Sequence, residues 1–110
     1  MPALTNWKEG GQFNTSGVGT NAGVTVTVTA TTGLATVVTG IQCSGDAAAL
    51  VTIESPASTV LWRKRFAAAF TMSESFPPGT VKAAAGQSVL VKISASTAAC
   101  EANMQGYVIE

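Results

Sequence analysis

The sequence contains no histidine. That absence removes the commonest general base near neutral pH, the usual nucleophilic triads and most transition-metal sites. Charge is scarce too: six Lys and Arg and six Asp and Glu make up 11% of 110 residues, where soluble domains carry about 25%. The balance is zero, so phosphate-driven binding of nucleic acid is not expected. No apolar run approaches the roughly 18 residues of a membrane span, and no membrane partner is expected. The opening Met1-Pro2-Ala3-Leu4-Thr5-Asn6-Trp7 has no basic region followed by an apolar stretch, so no Sec-type signal is expected. Two cysteines, Cys43 and Cys100, lack metal-ligand spacing; they are either a disulfide or two buried thiols.

The acids are Glu9, Asp46, Glu54, Glu74, Glu101 and Glu110, scattered over different segments. A glycosidase-like pair needs two carboxylates about 5 to 10 Å apart in a cleft, and no spacing here implies one. The expectation is a non-enzyme with no catalytic residues, cofactor or metal. Gly17-Val18-Gly19-Thr20-Asn21-Ala22 spells a dinucleotide fingerprint, but that motif needs a strand before it and a helix start behind it. A polar segment precedes it and a strand pattern follows, so the match is chance. Asn14-Thr15-Ser16 fits a glycosylation acceptor and, without a signal segment, tells nothing further.

What the sequence has instead is Thr, Ser, Ala and Gly in place of charge, with 46% hydrophobic residues. Short neutral polar side chains suit a surface that neighbours will cover. The length is that of one domain able to hold a real core. Residues 1–23 are rich in Gly, Asn, Thr and Ser with no helical or strand period. They read as an extended N-terminal arm, with Trp7 and Phe13 as anchors on a neighbouring subunit, or as a disordered tail.

From residue 24 the pattern turns to β. Val24-Thr25-Val26-Thr27-Val28-Thr29 alternates strictly, the period of a half-buried strand of β-branched residues. Further strands are expected at 35–44, 48–54, 59–66 and 67–76, a short one at Val81, and others at 88–94 and 102–109. Turn signals stand between them, including Gly45-Asp46, Ser55-Pro56 and Pro77-Pro78-Gly79. Residues 66–72, rich in Ala, offer a rival helical turn. Seven or eight strands at spacings near ten residues argue for an antiparallel β-sandwich, jelly-roll-like, over residues 24–110.

The one charge cluster is Arg63-Lys64-Arg65 beside Trp62. Alternation puts Arg63 and Arg65 on one face of a strand and Trp62 and Lys64 on the other. It reads either as a basic patch for an acidic partner or as charges guarding a sheet edge. Thr25, Thr27 and Thr29 are likewise either a flat contact surface or the wet side of a sandwich.

The order of features resembles a known group. Val37-Val38-Thr39-Gly40-Ile41 is followed by a strand ending at Pro56, then by Phe76-Pro77-Pro78-Gly79-Thr80. Gly86-Gln87-Ser88-Val89-Leu90-Val91 and a closing Gly106-Tyr107 come after. This is similar to small β-sandwich proteins that decorate or cement the capsids of tailed bacteriophages, over roughly residues 24–109. The resemblance implies a virion protein on the capsid surface, assembled in the host cytoplasm. It implies a homotrimer that bridges major capsid proteins and reinforces the expanded shell. Trp7, Phe13 and Trp62 are the candidate anchors toward partners, with Arg63 and Arg65 beside them. A second reading is a receptor- or glycan-binding module of a tail fibre or cell surface. A third, an Ig-like adhesion domain, rests on Trp62 lying between Cys43 and Cys100, although Cys100 falls in a loop-like stretch.

Overall fold

A computed structural model describes residues 12–19, 23–29, 32–94 and 99–109. They form nine strands in two antiparallel sheets: β1 Gln12–Gly19, β2 Val24–Val28, β3 Ala35–Gly45, β4 Ala49–Glu54, β5 Val60–Phe66, β6 Phe70–Ser75, β7 Val81–Lys82, β8 Val89–Ser94 and β9 Cys100–Ile109. Sheet A runs β1-β9-β3-β6, with β7 also on β3; sheet B runs β2-β8-β4-β5. The chain is a long hairpin rolled up. Its nested pairs are β4 with β5, β3 with β6, β2 with β8 and β1 with β9. Rolling then joins β3 to β9 and β4 to β8. Two such sheets of four principal strands are a jelly roll, as the turn spacing implied.

The alternating residues fill the space between the sheets. Val24 and Val26 face inward while Thr25 and Thr27 are exposed. Val51 and Ile53 of β4 and Val89, Val91 and Ile93 of β8 are almost wholly buried, opposite Ile41 and Met104 of sheet A. Burying a side chain of this size contributes about 1.5–3 kcal/mol, so this layer dominates the stability of the sandwich.

Its two sides close differently. On the β1–β2 side, Gly17 lets the strands approach: a Cβ there would stand 2.9 Å from a Val26 methyl and 3.2 Å from one of Val24. On the β5–β6 side, aromatic pairs fill the gap. Trp62 meets Phe76 edge-on with centroids 5.6 Å apart, and Phe66 stacks on Phe70 at 4.2 Å.

Two expectations need correction, and one rival reading falls to the strands expected at 59–66 and 67–76. Residues 12–19 belong to no arm: they are a full strand, paired with β9 from Gln12↔Tyr107 to Gly19↔Cys100. Residues 66–72 contain no helical turn, because Phe66 and Phe70 turn inward from successive strands and a bend separates them. Cys100 is no loop residue but the buried first position of β9. No disulfide joins it to Cys43. Both lie in neighbouring strands of one sheet, so the inter-sheet bridge of an Ig domain is absent from this pair.

Candidate interaction surfaces

The outer face of sheet A is built by alternation. Three rows cross the strands β1-β9-β3-β6: Asn14–Gln105–Gly40–Ser75, Ser16–Asn103–Gln42–Ser73 and Val18–Glu101–Ser44–Thr71. Each of these positions points outward because its neighbours, such as Ala102, Met104, Ile41 and Cys43, are buried in the core. Eleven of the twelve are uncharged; Glu101 is the exception.

The amides bind one another. Asn103 donates to Asn14 at 2.6 Å, and Gln105 donates to Gln42 at 3.4 Å and to Asn103 at 3.3 Å. Each carboxamide has two donor hydrogens and an oxygen able to accept two bonds, so these contacts leave capacity facing outward. Beside them lies a shallow concavity of about 690 Å³, whose lining includes Ser16, Val18, Gln42, Ser73 and Asn103. Val18 is 70% exposed at the edge of this face.

The second surface is the β5 edge of sheet B. Trp62, Lys64 and Phe66 stand opposite the core residues Ile53, Val51 and Ala49; Arg63 and Arg65 stand opposite Thr52 and Leu50. The expected division of faces therefore holds. Arg63 and Arg65 are exposed, Trp62 is half-buried against Phe76, and the Lys64 ammonium lies 5.6 Å from the Phe66 ring centroid.

A buried carboxylate sets the start of this edge. Glu54 is only 6% exposed. It accepts the Ser58 amide at 2.7 Å and the Thr52 hydroxyl at 2.9 Å. The Ser58 bond chiefly lowers the Glu54 pKa, aided by Thr52 and by the Lys92 charge and opposed by burial. Thr59 N–H donates to Pro56 O at 3.0 Å and Ser55 N–H to Thr59 O at 2.9 Å, which completes the turn. The register then slips between Ile53 and Glu54, and this bulge directs β5.

Of the residues singled out in the sequence, Trp7 lies outside the described residues. Phe13 serves the fold itself, since its ring lies over Gly106 on the inner face of sheet A. Trp62, Arg63 and Arg65 share the β5 edge. The sequence singles out Asn14 only as a glycosylation acceptor and Gln42, Asn103 and Gln105 not at all; the alternation in Asn103-Met104-Gln105 gives the face of two of them, and the register of β1, β9 and β3 brings the four together. Gly17-Val18-Gly19 sits in β1 with no helix behind it among the described residues. Among the described residues no three His, Cys, Asp or Glu gather as a metal site.

No family model matches the chain, and no curated protein matches it. Among solved structures it is similar to the Drosophila NLP core, a structure presented for its insight into pentamer formation and histone binding. The two share 13% identity at a TM-score of 0.45, over 88% of this chain and 98% of that one. A likeness this loose assigns neither a partner nor an assembly to this chain; what the geometry does show is an antiparallel β-sandwich with one neutral face and one cationic edge.

Proposed function

We propose that the protein is a structural virion subunit that binds the outer surface of a tailed-bacteriophage capsid and stabilises it by bridging major capsid proteins, as a homotrimer. It works by binding and assembly, without catalysis or a cofactor. The observation that carries this reading is the outer face of sheet A, where eleven of twelve positions are uncharged and the amides already bond laterally. Such a face can be covered by a neighbour without stripping water from ions, the step that makes buried charges costly. Its remaining donors and acceptors supply hydrogen bonds that fix the orientation of the contact.

The test is direct. Light scattering coupled to size exclusion gives the mass in solution, and co-sedimentation with expanded heads gives binding. A trimer that saturates expanded heads supports the reading; failure to sediment with heads of any maturation state overturns it.

The concavity on the same face favours a second reading, a module for a neutral polyhydroxylated ligand such as a glycan. Amides and hydroxyls suit such a ligand, but no exposed aromatic lines the concavity to stack on a sugar ring. Binding on a glycan array, abolished by changing Asn103, would favour it over the capsid.

A further inference from the structure

We infer that β5 is a docking edge for an acidic, extended segment of a partner protein, which joins sheet B as a fifth strand. This stands independently of the capsid reading.

Among the described residues β5 pairs with β4 alone, so one side of its backbone is unpaired. Every one of its seven residues is exposed or half-buried. It holds two of the three large apolar side chains exposed among the described residues, Val60 at 45% and Leu61 at 39%. It also holds three of the chain's six cations in succession, Arg63, Lys64 and Arg65. The acid on the adjacent strand, Glu54, is engaged with Ser58 and Thr52. Arg63 and Arg65 therefore stand on the outer face of sheet B with no acid opposite them on β4, while Lys64 lies on the other face beside Phe66.

The same row disfavours a second copy as the occupant in the register that pairs β5 along its whole length. In the full register of an antiparallel β5–β5 pair Arg63 stands opposite Arg63, and a shift of two residues towards the C-terminal end sets Lys64 opposite Lys64 and Arg63 opposite Arg65. Like charges directly opposite destabilise a ladder, and cations on an edge are a known guard against self-pairing. That guard is selective. A strand with Asp or Glu at alternate positions turns the repulsion into attraction, while backbone hydrogen bonds supply affinity and Val60 and Leu61 supply apolar contact.

The probe is an acetylated acidic peptide alternating Glu with Val and Thr. About nine residues at about 3.3 Å each would span the strand. It would be titrated into the isotope-labelled full chain and followed by amide NMR. Shifts should centre on β5 and its β4 neighbours. The Lys-for-Glu peptide should bind at least about tenfold more weakly, a difference of about 1.4 kcal/mol. Proline at alternate positions should abolish binding. R63E/R65E should reverse the preference between the two peptides; R63Q/R65Q, which changes shape least, should weaken the acidic peptide and leave the fold intact. Equal binding of both peptides, or no shifts at β5, would overturn the inference and leave the cations as edge guards alone.

Discussion

Glu54 and Ser58 lock the turn between β4 and β5: the Ser58 amide donates to the carboxylate at 2.7 Å, while Ser58 itself takes a positive φ of 76°. A non-glycine residue in this region is uncommon, and here the bond to Glu54 holds it. The fold favours the carboxylate, so the Glu54 pKa lies below its ordinary 4.5. A depressed pKa gives stability that is present above the unfolded value and lost as pH falls through the folded one. Glu54→Gln should therefore cost about 1–3 kcal/mol at pH 7 and flatten the loss of stability in acid. Urea unfolding at pH 7 and below pH 4.5 measures both. An unchanged acid profile would show that the turn does not depend on this charge.

Gly106 has no room for a side chain. A Cβ there would meet the Val37 carbonyl and stand 2.9 Å from the Phe13 ring. Because the carbonyl belongs to the neighbouring strand, the ladder itself would have to move. Gly106→Ala should destabilise by more than about 3 kcal/mol or prevent folding, beyond the usual range for single changes. Phe13→Ala, which uncovers the same glycine, should cost about 2 kcal/mol and loosen β1 first, since the ring is half-buried. Hydrogen exchange of β1 amides checks the second, and thermal melting the first.

The thiols should be inert in the native protein. Cys43 is 3% exposed and Cys100 1%. Burial pushes the Cys43 pKa up to about 11, against a hydrogen bond from the Asn103 backbone and with a small push from Cys100. The thiolate is the reactive form, so iodoacetamide at pH 8 should modify neither cysteine until the chain is unfolded. A raised thiol pKa also means that stability is lost as pH rises from about 9, where the unfolded thiol ionises, toward 11. Cys43→Ala should remove that part of the alkaline loss.

A charge placed on the outer face of sheet A tests the proposed contact apart from the fold. Ser73 is exposed at the end of the Ser16–Asn103–Gln42–Ser73 row. Ser73→Arg should change thermal stability by less than about 0.5 kcal/mol, as exposed substitutions do. On the capsid reading proposed above, the same change should lower the mass in solution and the occupancy on expanded heads. Unchanged assembly would move the contact to another surface.

The strands from residue 24 onward were legible because each side chain reports its own face. Val24-Thr25-Val26 and Val89-Leu90-Val91 carry their burial in their chemistry. β1 was not legible, because its inward positions are Phe13, Thr15, Gly17 and Gly19. Two of those four are glycines, and at Gly17 the volume comes from Val24 and Val26 of another strand. A periodicity search sees only what a segment brings itself. The Arg63–Arg65 face was readable from alternation alone. The amide ladder was not, since Asn14, Gln42, Asn103 and Gln105 lie on three strands and their proximity is a product of register.

The position of β9 has a consequence for synthesis. Of the nine strands it leaves the ribosome last, yet it lies between β1 and β3 at the centre of sheet A. Until Cys100–Ile109 emerges, β1 has no partner in its sheet and the inner faces of β3 and β8 lack Met104 and Ala102. Sheet B can pair earlier, but the sandwich closes only after translation has passed its final strand. A nascent chain stalled before residue 100 would expose its core, making it a substrate for chaperones and proteases.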